Sequence, residues 1–262
     1  MPVYTVVSQI AIPAQIDVCW RHLTEPTLIA RWFADVRGSI QPGVKCEFHF
    51  GDGDFFAAQT REIEPPVRFR FTWRFMDAGG ISEIEYVLLD SEEGTDVSVI
   101  DRGSYGREGA LELREGWNDF MARLKKTITT GENARYRWSE TIGAGAIVVA
   151  APAEAIERLG NIGFWTKHFP ETTVVAEKTE QLLTLTFLSP AWGNQSTIAQ
   201  VRATDRGQFT GISVSHAGWG GLPAAIRFQE RKGAAGHWAA ALREIESLLG
   251  HVSDNRYVAA SQ

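Results

Sequence analysis

Cys19 and Cys46 are the only cysteines in the sequence. Two are too few for a disulfide framework, and both fit small buried hydrophobes of a reducing compartment. Nor is there an apolar run near the roughly 20 residues that a membrane span needs. The longest candidate, GAGAIVVAAPAEAI, is broken by Pro152 and Glu154. The N-terminal stretch MPVYTVVSQIAIPAQID lacks a basic start followed by an apolar segment, so secretion is not expected and a cytoplasmic location is. The N-x-S match at Asn194 then carries no meaning. Positive charge is scarce too: residues 1–130 hold 14 Lys/Arg against 20 Asp/Glu, and residues 131–262 hold 12 of each. Neither half offers the basic face that nucleic acid requires, and no polybasic membrane patch is present. His22, His49, His168, His237 and His251 show no ligand spacing, and His-x-x-His, Cys-x-x-Cys and His-Glu-x-x-His are all missing. Neither a metal nor any other cofactor is expected. GDGD (51–54) lacks the remaining ligands of a calcium loop and reads as a hairpin turn. In GAGAIV (143–148) the glycines precede the strand, the reverse of a dinucleotide loop.

What is present is a long repeat. EGWNDFMARLKKTI (115–128) places Trp117, Phe120, Met121, Leu124 and Ile128 on one helical stripe. GHWAAALREIESLLG (236–250) does the same with Trp238, Ala241, Leu242, Ile245 and Leu249. A strand Val3–Ile12 ending at Pro13 and a helix near Asp17–Leu23 have counterparts in AIVVAAPAEAIERL, Pro13 matching Pro152. GTDVSVIDRGSYG (94–106) aligns with FTGISVSHAGWGG (209–221), each a strand running into a Gly-rich loop. The offset between copies falls from 139 at the prolines to 115 at these strands and returns to 121 at the tryptophans. The second copy is therefore short by about two strands between its helices and its last strands, where it keeps roughly LLTLTFL. Each copy reads as strand, two short helices, antiparallel strands, then a long helix. The expected class is α+β: two tandem domains, each a curved antiparallel sheet wrapped on a long C-terminal helix. Boundaries are expected at 1–130 for the first domain and 134–251 for the shortened second, followed by a tail, 252–262. A linker of about five residues, TTGEN, requires the two domains to be close neighbours and to pack on each other.

The first copy is rich in alternating aromatics. Cys46, Phe48 and Phe50 point one way, and Phe69, Phe71, Trp73 and Phe75 do so after Pro65-Pro66, with Arg68, Arg70, Thr72 and Arg74 opposite. Trp32, Phe48, Phe50, Phe71, Trp73, Phe75, Tyr86 and Trp117 are the candidate lining of a ligand cavity between sheet and helix; the alternative is that they fill the core. Asp101 and His216 occupy equivalent inward positions and are candidate acid/base groups. The alternative for each is a polar side chain bonded to a neighbouring loop, with Arg102 at hand to pair with Asp101. In the loops DRGSYGREGAL and HAGWGGLPAAI, Tyr105 and Trp219 are candidate hydrophobic lids over the cavity mouth.

PAQIDVCWRHLTEPTLIARWF, QPG (41–43), EIEPPVRFRFTW (62–73), EGTDVSV (93–99) and EGW (115–117) fall in an order that resembles the activator-of-Hsp90-ATPase-homologue-1-like branch of the START/Bet v 1 superfamily, over essentially all of residues 5–128. The second copy is similar but divergent, keeping ISVSHAG and the helix while losing the PG hairpin and the EPP turn. The resemblance implies a helix-grip fold and a hydrophobic ligand pocket. It also implies that His216 matches a histidine frequent in that branch, where the first copy has Asp101. Fold alone does not set the activity. The primary expectation is binding or carriage of a small hydrophobic, aromatic or polyketide-like molecule in the first domain, with no evident catalytic machinery. A cyclase- or dehydratase-like enzyme using Asp101 or His216 is the alternative. A co-chaperone role is the third reading; the eukaryotic co-chaperones resembling this fold use a separate N-terminal Hsp90-binding domain not found here, so Hsp90 is not the expected partner.

Overall fold

A computed structural model describes residues 3–104, 106–136 and 139–250. The first domain contains β1 (Tyr4–Ile12), α1 (Ile16–Thr24), α2 (Pro26–Ile29), β2 (Asp35–Gly38), β3 (Lys45–His49), β4 (Phe55–Glu64), β5 (Arg68–Phe75), β6 (Ser82–Ser91), β7 (Gly94–Gly103) and α3 (Gly106–Thr130). Its seven strands form one antiparallel sheet in the order β1-β7-β6-β5-β4-β3-β2. The second contains β8 (Ile142–Val148), α4 (Pro152–Leu159), α5 (Ile162–His168), β9 (Thr173–Lys178), β10 (Leu182–Leu188), β11 (Ser196–Asp205), β12 (Thr210–Ala217) and α6 (Arg227–Leu249), with five strands in the order β8-β12-β11-β10-β9. Each sheet packs its apolar face on its own long helix. This is the helix-grip plan twice over, with the second copy two strands shorter.

Period-2 alternation explains the strands. In β5, Phe69, Phe71 and Trp73 are buried while Arg68, Arg70 and Arg74 face outward. Arg68 and Arg70 join a cross-strand ladder. Arg70 meets Glu62 and Glu83, and Arg102 meets Glu83 and Glu85 at 3.5 and 2.9 Å. Arg102 therefore pairs across the outer face and not with Asp101, whose side chain is buried on the opposite face. Both long helices begin well before the Trp-bearing stripe expected from sequence, because good helix formers such as Glu, Leu and Arg extend a helix beyond its apolar contact. β9 is an additional short strand ahead of LLTLTFL: Thr173–Lys178 pairs with β10.

The two domains are joined through the first domain's hairpin ends. The β5–β6 turn carries Met76 and Asp77, both at positive φ (52° and 54°). Its Met76 and Ala78 are buried in the second domain's core beside Ala146, Ile212 and Leu242. Two non-glycine residues in the left-handed region are unfavourable on their own; the burial of Met76 and three hydrogen bonds to Glu246 of α6 hold them. Glu246 accepts from the Gly79 amide at 2.9 Å and takes both oxygens to Arg74 at 2.9 Å. The GDGD turn, closed by Phe50 N–H to Asp54 C=O at 2.8 Å, docks on the same helix. Gly53 sits there at φ +98°, and a Cβ would stand 2.7 Å from the Lys232 carbonyl oxygen. Gly53→Ala is expected to cost about 1–3 kcal/mol through backbone strain and separation of turn from helix. A thermal midpoint equal to that of the unsubstituted protein would refute this.

Candidate functional site

All eight aromatics proposed as a cavity lining are linked ring to ring, seven of them buried in the first domain's core. Trp73 is the hub: Phe56 stacks on it at 3.9 Å and Trp117 at 5.3 Å, with Phe71 edge-on at 5.5 Å. Phe48 meets Phe71 at 5.8 Å, Tyr86 meets Trp117 at 6.1 Å, and Phe33 bridges Trp32 and Phe50 at 5.2 Å each. These rings are buried against one another in the first domain's core. Phe33, Phe56, Phe69, Phe120 and Tyr136 belong to the same cluster. Phe56 could have been found from the hairpin register, since it lies opposite both Phe48 and Phe75. Phe75 is different: only half-buried, it turns toward the second domain.

Asp101 and His216 meet equivalent partners. The Trp117 indole donates to Asp101 Oδ2 at 2.9 Å, and the Trp238 indole donates to His216 Nδ1 at 2.8 Å. In each copy, then, the last strand's polar residue is tied to the first tryptophan of the long helix. An indole N–H can only donate, so Nδ1 of His216 is the unprotonated nitrogen and Nε2–H donates to Thr197 Oγ1 at 2.8 Å. Burial, assisted by the charge of Arg231, lowers the His216 pKa to about 3. The Tyr86 phenol is pushed up by burial first and by the charge of Asp101 second. Trp219 is a buried wall and not a lid; its indole donates to the His216 carbonyl at 3.2 Å. Tyr105 lies outside the described residues.

A cleft of about 490 Å³ runs between the domains. One wall is the end of the first domain's sheet and helix: Phe75, the turn Ala78–Ile81, Ser82, Ser104, Gly109 and Glu112. The other is β8 and the adjoining ends of β11 and β12, with Ala144–Ile147, Arg206 and Gly211–Ser213. Its lining is largely apolar, with the hydroxyls of Ser82, Ser104, Thr204 and Ser213, one carboxylate (Glu112) and one guanidinium (Arg206). Arg206 lies over Gly211, where a Cβ would come within 2.6 Å of its Nε. Phe75 is the one member of the expected lining that reaches this cleft; the glycines and alanines that shape it carry no signal in sequence. Among the described residues no group of His, Cys, Asp or Glu could hold a metal ion, and no helix is long and apolar enough to cross a membrane.

Residues 13–129 match the family model described as activator of Hsp90 ATPase homolog 1-like protein. No curated protein matches the chain in sequence. Among solved structures, DynU16, from the dynemicin biosynthetic locus, is 25% identical with a TM-score of 0.79, covering 94% of this chain and 98% of its own. Protein MLL2253 from Mesorhizobium loti is 21% identical with a TM-score of 0.46, covering 49% of this chain and 99% of that one. CalU16 from Micromonospora echinospora is 22% identical with a TM-score of 0.40, covering 49% and 77%. The likeness to DynU16 spans both domains, and with the family match in the first it places this helix-grip chain in the START/Bet v 1 superfamily.

Proposed function

We propose that the protein binds or carries a small, flat, largely apolar molecule in the cleft between its two domains, without transforming it. The carrying observation is the cleft itself: about 490 Å³ falls within the roughly 300–1,000 Å³ usual for small-molecule sites. Gly79, Gly80, Gly145 and Gly211 lie along its lining, where the lack of side chains leaves room for a planar ring system. Phe75 offers a ring face, supported from behind by Phe56 at 5.0 Å and through it by the Trp73–Trp117 stack. The origin of DynU16 in a biosynthetic locus favours a natural-product ligand. In this reading the aromatic set of the first domain is the rigid backing of the site. Domains 1–130 and 134–251 are copies of one ancestral unit, the second having lost strands and gained the role of closing the cleft.

Binding is favoured over catalysis because both acid/base candidates are engaged elsewhere. Asp101 and His216 each face a tryptophan of the long helix, and neither is among the residues lining this cleft. An imidazole whose pKa is about 3 is a poor base at neutral pH. Titration with 1-anilinonaphthalene-8-sulfonate, followed by its fluorescence, tests the site. Ser213→Trp, at an exposed strand position on the cleft wall, is expected to weaken binding about tenfold, equivalent to about 1.4 kcal/mol. Asp101→Asn should leave the dissociation constant within about twofold. Unchanged binding by Ser213→Trp would remove the cleft as the site.

A further inference from the structure

A second, smaller cavity, about 170 Å³, opens between the second sheet and the N-terminal half of α6. Six rings form an arc around it. His237 meets Phe169 at 5.3 Å, Phe169 meets Phe187 at 4.7 Å, Phe187 meets His216 at 4.7 Å, His216 meets Trp219 at 4.5 Å, and Trp219 meets Trp192 at 6.0 Å. Both ends of the arc rest on α6. His237 belongs to that helix, and the Trp192 indole donates to Glu230 Oε2 at 3.0 Å. The charged residues lining the cavity are both acidic, Glu171 and Glu230; no Lys or Arg lines it. Arg231, next along the helix, is turned away and spends its guanidinium on Asp54, Asp52, Ser139 and Thr141. Neither imidazole supplies positive charge near neutral pH, because burial lowers both pKa values.

Aromatic rings present negative faces, and carboxylates at their rim add to that potential. A site of this sign whose lining holds no Lys or Arg favours a positive guest over a neutral one. We infer that this pocket binds a small organic cation, a quaternary or protonated amine with a compact head group. The volume fits: an apolar cavity of about 150 Å³ accepts benzene, so a trimethylammonium head is of suitable size. The head group would lie against Trp192 and Phe169, with Glu230 as the counter-charge. The site is separate from the interdomain cleft and shares no lining residue with it.

Calorimetric titration with choline and with its neutral isostere 3,3-dimethylbutan-1-ol decides the matter. Choline is expected to bind at least about tenfold more tightly, as cation–π and carboxylate contacts require. Glu230→Gln keeps an oxygen for the Trp192 indole and removes the charge. It should cost choline about tenfold in affinity and the alcohol nothing. Ser213→Trp, which blocks the other cleft, should leave choline binding unchanged. Equal affinity for the two probes, choline binding indifferent to Glu230→Gln, loss of choline in Ser213→Trp, or no choline binding would each overturn the proposal. None of these results bears on dye binding in the interdomain cleft.

Discussion

Arg231→Met is expected to destabilise the protein by roughly 3–5 kcal/mol at neutral pH, the usual consequence of leaving buried charge without its partner. Arg231 is fully buried where the two domains meet. Its five N–H groups have five acceptors: Asp54 Oδ1 and Oδ2 at 2.6 and 3.0 Å, and the carbonyls of Asp52, Ser139 and Thr141 at 2.8, 2.9 and 3.0 Å. Those acceptors come from the β3–β4 turn of the first domain and from the segment entering the second. One side chain of α6 thus fixes the turn, the linker and the helix together. Lys offers three donors from a single point and cannot reproduce the fork, so Arg231→Lys should recover little. Burial, reinforced by the neighbouring Asp52, pushes the Asp54 carboxyl up to about 6 against the opposing pull of Arg231. Without Arg231 that carboxyl protonates more readily still. The loss measured by urea unfolding should therefore be largest at pH 7 to 8 and shrink toward pH 4. A loss under about 1 kcal/mol, no more than a surface ion pair provides, would contradict the assignment of Arg231 as the tie between domains.

The second large effect is pH dependence from His216. Its folded pKa, about 3, lies below the ordinary value of 6.5. Between those two pH values the unfolded chain takes up a proton that the folded protein does not. The stability from this group is complete above pH 6.5 and declines as pH falls toward 3, by about 1.4 kcal/mol per pH unit. Asp54 acts in the opposite sense. Its folded pKa, about 6, exceeds the ordinary 3.8, so its contribution declines as pH rises from 3.8 to 6. The two slopes offset each other in that window, leaving the unsubstituted protein nearly flat as far as these groups decide it. His216→Gln, whose amide oxygen can still accept from Trp238, should unmask the Asp54 slope. Its stability relative to the unsubstituted protein should rise steadily as pH falls from 6.5, checked by denaturant unfolding across that range. Parallel curves for the two proteins would contradict the account.

The repeat was legible because alternation in strands and the 3.6-residue stripe in helices are local properties of sequence. They paired Trp117 with Trp238 and Asp101 with His216, and the structure gives each pair the same hydrogen bond from helix to strand. What joins the domains was not legible. In RFQERKG, Arg231 has the appearance of a solvated helix charge, and Asp52 and Asp54 have that of ordinary turn residues; only the fold brings them within hydrogen-bonding distance. Which rings meet inside the first domain is likewise set by the tertiary fold. Period-2 patterning says which way Phe71 and Trp73 point, but not that Phe33, Phe56 and Phe120 take up the space between them. The interdomain cleft is formed from residues of five separate segments, and no local pattern marks such a surface.

Native mass spectrometry of the protein purified from its own host, compared with the same sample after denaturation, tests the central claim most directly. The account predicts a co-purifying small molecule of unaltered structure, present on the unsubstituted protein and strongly depleted on Ser213→Trp. A ligand retained at equal occupancy by Ser213→Trp, or no ligand on either protein, would contradict binding in the interdomain cleft.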